Sequence, residues 1–140
     1  IEHLAKIKLP FLPVGTHRAF PIKGDSMLPV KSGSYIVAKF IEDLRDIKDG
    51  RTYIVLSKSE GMVYKRVFKK LEEHNMLLMV SDNKKYDAYY LQAEDVLEIG
   101  EFTCSINTQE YDEHELKISS IAGMLTQLGV ELKELKKSIN

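Results

Sequence analysis

The stretch FPIKGDSMLPV, residues 20–30, organises the rest of the sequence. Its pattern predicts the end of a strand followed by a glycine turn that presents Ser26. A second stretch, MVYKRV at residues 62–67, predicts a strand in which one lysine, Lys65, lies among apolar neighbours. We expect the two stretches to meet in space, with Ser26 as a nucleophile and Lys65 as its base.

The composition excludes several classes of protein. The chain has 140 residues, 44% hydrophobic and 29% charged, which suits one globular domain with a proper core. Its net charge of −1 creates no overall electrostatic attraction to nucleic acid or anionic lipid. Cys104 is the one cysteine, so no internal disulfide is possible, and we expect a cytoplasmic location. No apolar run approaches the ~18 residues of a membrane span, and no signal peptide is visible.

Short runs of strand-forming residues between turn signals predict a mostly β fold. The predicted strands cover residues 18–22, 35–40, 52–56, 62–69, 76–81, 89–91 and 96–106. Because no helical pattern separates them, an antiparallel sheet or partly closed barrel is favoured over a parallel α/β fold. Pro10 and Pro13 favour an extended arm before the first strand. Residues 26–29 could form one helical turn.

The C-terminal region has a different pattern and predicts an amphipathic helix over residues 113–140. The spacing of its apolar residues alternates between three and four, as in a heptad repeat: Ile118, Ile121, Leu125, Leu128, Leu132, Leu135 and Ile139. Gly123 and Gly129 weaken the helix by roughly 1 kcal/mol each relative to alanine. Two interpretations stay open: a coiled coil between copies, in which Glu131 and Lys136 form a g–e pair, or a helix folded back on the sheet.

The serine needs a base, because a hydroxyl is a poor nucleophile until its proton is removed. The four histidines fall in no pattern that connects them with Ser26: His3, His17, His74 and His114. A lysine can act instead if burial lowers its pKa from about 10.4 toward neutrality. Strand alternation places Lys65 on one face with Val63 and Val67, which would desolvate it. A solvated lysine at a strand edge is the alternative interpretation.

The turn around Ser26 also suits nucleophilic chemistry. Gly24 permits a tight backbone, and Pro29 would end a turn that begins at Ser26. The backbone N–H groups of Ser26 and Met27 are candidate donors to an oxyanion. The alternative is an ordinary turn serine, and composition and periodicity do not separate the two. Acidic residues in the second half lack metal-ligand spacing, so we expect no metal and no cofactor: Asp82, Asp87, Glu94 and Asp95.

Residues 18–106 resemble the LexA-like self-cleaving repressor family, which includes phage CI-type repressors and UmuD-like proteins and is related to signal peptidases. Two motifs support this resemblance. Gly24-Asp25-Ser26-Met27 resembles the Gly-x-Ser-Met nucleophile motif, and Val63-Tyr64-Lys65-Arg66-Val67 resembles the Val-x-Lys-Arg strand of the general base. The sequence Asp82-Asn83 followed by Tyr86 resembles a loop that often reads Asn-x-x-Tyr.

The resemblance implies a LexA/signal-peptidase-like antiparallel β fold and an autoproteolytic serine peptidase, with Ser26 as nucleophile and Lys65 as general base. Such domains cut their own chain at a small dipeptide, typically Ala-Gly, upstream of the nucleophile. RecA–DNA filaments stimulate the cut in the SOS response. The domain also forms a homodimer, which holds two N-terminal DNA-binding domains on an operator.

This chain departs from the family pattern in two ways. The one Ala-Gly is Ala122-Gly123, inside the predicted helix, and the long helix is itself atypical. We therefore expect a C-terminal fragment whose cut site and DNA-binding domain precede Ile1. Its expected parts are a residual linker at 1–17, a peptidase domain at 18–110 and the helix at 113–140. A non-cleaving dimerisation or sensing module and a UmuD-like polymerase accessory protein remain alternatives, whereas a signal-peptidase-like enzyme lacks an anchor here.

Overall fold

The computed structural model describes the backbone of residues 6–139 and the side chains of residues 6–118 and 120–129. In this part of the chain, seven strands form one antiparallel sheet. They are His17–Pro21 (β1), Tyr35–Ile41 (β2), Arg51–Ser57 (β3), Gly61–Lys70 (β4), Met76–Val80 (β5), Tyr89–Gln92 (β6) and Val96–Ile106 (β7). A short helix, Leu71–His74 (α1), connects β4 to β5, and a long helix, Glu113–Ile139 (α2), follows β7. The prediction of a mostly β fold with a C-terminal helix is confirmed.

The order of strands in the sheet is β1-β2-β7-β3-β4-β5-β6, so the last strand lies in the middle. A close approach between β2 and β7 depends on Gly100. A Cβ added there would lie 2.8 Å from the Cβ of Ala38, a distance that real Cβ atoms do not tolerate. A shift of register between Val37 and Ala38 adjoins this contact. The glycine therefore lets β7 bridge the two halves of the sheet.

Both faces of the sheet are covered by apolar side chains. One core cluster contains Ile47, Tyr53, Val55, Val67, Leu77, Met79, Leu91 and Ile99. The other contains Ile22, Met27, Ile36, Ala38, Ile54 and Tyr64. Successive residues of β3 alternate between the clusters, as the period of two in a strand requires. Because Met27 belongs to the second cluster, the turn that carries Ser26 is anchored directly in a core.

The segments between the strands differ from the sequence prediction in one place near Ser26. Residues 26–29, which suggested a helical turn, form a hydrogen-bonded turn that the Val30 N–H closes by donating to the Met27 carbonyl at 2.9 Å. Residues 6–16 contain no helix or strand. Residues 1–5 of the predicted linker lie outside the described residues.

The contacts divide the chain into two compact units, one that ends at Thr108 and one that begins at Gln109. All seven strands belong to the first unit, and α2 belongs to the second. The Asp112 side chain accepts a hydrogen bond from the Glu115 N–H at 2.7 Å, which satisfies a donor in the first turn of the helix. No helix in the described part of the chain is long and apolar enough to cross a membrane.

Candidate functional site

The turn that carries Ser26 is fixed from both sides. Before it, the Ile22 N–H donates to the Ser34 carbonyl at 2.8 Å, and the Gly24 N–H donates to the Ser32 hydroxyl at 3.2 Å. Gly24 has a φ of +83°, a backbone conformation that residues with a Cβ rarely adopt. After the turn, the side chain of Met27 is only 2% exposed. Ser26 itself is half-buried, so its position is set by a buried neighbour and a glycine turn.

Lys65 lies in the middle of β4, opposite Tyr53 of β3. Its neighbours on the same face are Val67, which is fully buried, and Val63, which packs against the same core. The side chain of Lys65 is half-buried, and desolvation lowers the pKa of its amine, while the charge of Glu60 acts in the opposite direction. The environment of this strand therefore favours the neutral amine more than water does.

Ser26 and Lys65 line the same cavity. It is an open cleft of about 400 Å³, and its remaining walls are mostly apolar: Pro21, Ile22, Lys23, Met27, Met62, Val63 and Tyr64. The structure thus brings the candidate nucleophile and the candidate base, far apart in sequence, to one site. None of the described histidines lines this cleft.

The amine of Lys65 has a defined hydrogen-bond partner. Its Nζ donates to the Ser81 Oγ at 2.9 Å, and Ser81 is only 3% exposed. The contact follows from strand pairing, because Arg66 pairs with Val80 and the next step of an antiparallel register places Lys65 opposite Ser81. From the sequence, Ser81 is predicted only as the end of a strand. The signal that could reveal it is the register between β4 and β5, which the sequence alone does not define.

The loop that follows Ser81 binds the turn that carries Ser26. The Asn83 N–H donates to the Ser26 carbonyl at 2.9 Å, and its side-chain amide donates to the Asp25 carbonyl at 3.0 Å. The Asp82 N–H lies 3.3 Å from the sulfur of Met27. The Tyr86 hydroxyl donates to the Asp25 carboxylate, which lowers the pKa of Asp25 and raises that of Tyr86. One loop therefore contacts both the lysine and the serine turn.

An ion pair holds this loop against β4. Arg66 donates through Nε and Nη2 to the two carboxylate oxygens of Asp82, both at 2.7 Å. A third donor, Nη1, bonds the Gly50 carbonyl at 2.6 Å, so the guanidinium also fixes the turn before β3. These hydrogen bonds lower the pKa of Asp82 and raise that of Arg66. Both carboxylate oxygens of Asp82 are thus engaged by an arginine. Within the described residues, no three acidic, histidine or cysteine side chains are grouped to hold a metal.

Comparison with known protein families finds a match. A family model described as Peptidase S24-like matches residues 5–103, a span that includes all of the turn, the strand and the loop described above. The match begins before the predicted domain start at residue 18 and ends close to the predicted end of the resemblance at residue 106. No curated protein matches the chain significantly. On the family match, which covers well over half of the sequence, this chain belongs to the Peptidase S24-like family, the LexA, UmuD and phage CI-type peptidase domains.

Proposed function

We propose that this chain is the C-terminal regulatory domain of a cytoplasmic, phage-repressor-like transcriptional regulator, and that Ser26 and Lys65 are a dyad for self-cleavage. The observation that carries the proposal is the shared cleft, which is lined both by a half-buried lysine of lowered pKa and by a turn serine. Membership in a family of serine peptidases supports the same chemistry.

The proposed reaction begins with the neutral amine of Lys65, which takes the proton from the Ser26 hydroxyl. The serine oxygen attacks the scissile carbonyl and forms a tetrahedral intermediate, whose oxyanion accepts hydrogen bonds from the N–H groups of Ser26 and Met27. The Lys65 ammonium then protonates the departing amine, which leaves an ester on Ser26. Water hydrolyses the ester after Lys65 removes its proton, and the products are a new carboxyl terminus and a new amino terminus.

The cut site in this proposal lies in the parent protein, upstream of the sequence described. Ala122-Gly123, the Ala-Gly in this chain, lies inside α2, where the backbone N–H and C=O groups are hydrogen-bonded within the helix. An extended strand can enter a protease cleft, and a helix cannot. In this proposal a DNA-binding domain in the parent contacts an operator as part of a homodimer, and a RecA filament is the candidate inducer.

The test is self-cleavage of the full-length parent chain across pH 6 to 10. While Lys65 is mostly protonated, the rate should rise about tenfold per pH unit, because the neutral amine is the active form. Ser26→Ala and Lys65→Ala should each abolish the cut. Lys58→Ala, which removes an exposed lysine outside the cleft, should cleave at the wild-type rate. A Lys65→Ala parent that keeps both the rate and the pH slope would refute the dyad.

A second candidate is a non-cleaving module of the same fold, used for dimerisation or sensing, or as a UmuD-like polymerase accessory protein. A parent protein without cut-site residues upstream of Ser26 would favour it, because the Ala122-Gly123 of this chain lies inside α2. The two candidates make different predictions for regulation. If the parent with Lys65→Ala responds normally to the inducing signal, the non-cleaving module is correct.

A further inference from the structure

One side of α2 exposes a continuous apolar stripe. Ile118, Ile121, Leu125 and Leu128 are 53%, 54%, 62% and 51% exposed, and they occupy the a and d positions of the heptad pattern. In sequence the pattern continues through Leu132 and Leu135, whose side chains lie beyond the described ones. Aliphatic side chains aligned in this way on a helix are normally buried against another surface.

The helix around the stripe also lacks the charges of a fully solvated helix. Between Lys117 and Glu131 the sequence contains no acidic or basic residue. The flanking e and g positions in this region are small or apolar: Ala122, Met124 and Gly129. Side chains of this kind let a second helix approach closely and widen the apolar contact. An amphipathic helix whose e and g positions are exposed to solvent would instead carry charged residues at those positions.

The two glycines do not interrupt the stripe. Gly123 and Gly129 occupy f and e positions, and a Cβ added at either one would meet no atom within 4 Å. Both glycines therefore weaken the isolated helix without altering its apolar seam. A helix of this composition gains most of its stability from packing, so a partner on the seam would also order the helix itself.

We infer that α2 pairs with α2 of a second copy of this chain, in a two-stranded coiled coil whose seam is the a/d stripe. The heptad is complementary to itself, because each layer of a parallel pair places isoleucine against isoleucine or leucine against leucine. In sequence, the g position at 131 is a glutamate and the e position at 136 is a lysine, which is the charge pattern of a parallel pair. The inference assigns the dimerisation in the proposed function to the helix, and it is independent of the Ser26 and Lys65 chemistry.

The test compares two glutamate substitutions in the 140-residue chain by sedimentation equilibrium. Leu125→Glu places a carboxylate in the seam of both copies, whereas Gln127→Glu adds the same charge two residues away, on the opposite side of the helix. The wild type should be a dimer. Leu125→Glu should raise the dissociation constant at least about 100-fold, because two unpaired carboxylates would be buried face to face. Gln127→Glu should stay within about threefold of wild type.

Several outcomes would overturn the inference. A wild-type chain that is monomeric at about 100 μM, or that forms trimers, excludes a two-stranded pair of this kind. A Leu125→Glu chain that dimerises as tightly as wild type shows that copies associate elsewhere. That last result would leave the proposed self-cleavage and a dimeric parent untouched. Because Leu125 is exposed, unchanged thermal unfolding of the sheet in the variant would show that lost affinity does not come from unfolding.

Discussion

The environment of Lys65 is intermediate between that of an exposed lysine and that of a fully buried one, because its side chain is half-buried and its amine is hydrogen-bonded. Desolvation against the core lowers the pKa of its amine, whereas the hydroxyl of Ser81 accepts a hydrogen bond from Nζ and satisfies one of its donors. A buried donor without a partner would cost about 1–3 kcal/mol. The Ser81 hydroxyl therefore offsets part of the cost of burying the lysine, and it also restricts the orientation of the amine.

Removal of the Ser81 hydroxyl should harm cleavage more than stability. In the parent protein, Ser81→Ala should slow self-cleavage about 10- to 100-fold, because a base that is misplaced by a fraction of a bond length loses much of its effect. The ammonium form also loses an acceptor, so the pH of half-maximal rate should move downward. Ser81→Thr, which keeps a hydroxyl, should restore most of the rate.

The matched control for this prediction is Ser57→Ala. Ser57 is also 3% exposed, and its hydroxyl accepts a hydrogen bond from the Glu60 N–H at 3.1 Å. Each substitution should cost about 1–2 kcal/mol in urea unfolding. If Ser57→Ala shifts the pH profile as much as Ser81→Ala does, Ser81 has no special role in positioning the lysine.

The lowered pKa of Lys65 also predicts how stability depends on pH. Between the folded pKa and the unfolded value near 10.5, the unfolded chain binds more protons than the folded one. The free energy of unfolding should therefore rise with pH across this window, as burial of the charged form ceases to oppose folding. We expect Lys65→Met to be more stable than wild type at pH 7, with a difference that shrinks toward pH 10. Urea unfolding at several pH values measures this difference, and Lys58→Met should show no such trend.

Among the elements of the fold, the loop at residues 81–86 unites the two halves of the site. It begins where β5 ends, holds Lys65 through Ser81, and binds the turn of Ser26 through Asn83. The resemblance to an Asn-x-x-Tyr loop singles out Asn83 and Tyr86 in the sequence, but it does not predict which residues they contact. Those contacts depend on the pairing of β4 with β5. Strand propensity predicts each strand separately, so it does not predict which strands pair.

The ion pair that anchors this loop predicts sensitivity to acid. Because Arg66 lowers the pKa of Asp82 below 3.8, the carboxylate contributes stability above the unfolded pKa and loses it as the pH falls through the folded value. Asp82→Asn should reduce the free energy of unfolding by roughly 1–2 kcal/mol at pH 7, a modest value because both side chains are partly exposed. The difference from wild type should vanish toward pH 2.

The control for the acid prediction is the residue directly after this loop. Asp87 is exposed, and Asp87→Asn should leave stability nearly unchanged at pH 7 and at pH 3. Urea midpoints measured for the three proteins at both values of pH give the comparison. Equal losses in Asp82→Asn and Asp87→Asn would mean that the arginine contacts contribute nothing measurable.

For the molecule as a whole, the sequence predicts the strands far better than their arrangement. Val, Ile and Tyr runs between glycine turns place each strand within a few residues of its observed bounds, because this signal is local. The position of β7 between β2 and β3 is not local: it depends on Gly100 and on contacts with strands about sixty and forty-five residues away. The same limit applies to the site, whose two motifs can be read in the sequence but whose shared cleft requires the fold.

The division of the chain at Thr108 yields a prediction about the autonomy of the sheet. Every residue of both core clusters lies between Ile22 and Ile99, and a chain that ends at Thr108 keeps the hydroxyl that donates to the Gly33 carbonyl at 2.9 Å in the 140-residue chain. A chain of residues 1–108 should therefore fold and unfold cooperatively, with a midpoint within about 4 °C of the 140-residue chain. Calorimetry at matched concentrations measures the two midpoints. A truncated chain without a cooperative transition would show that the sheet requires α2, and that the two units fold as one.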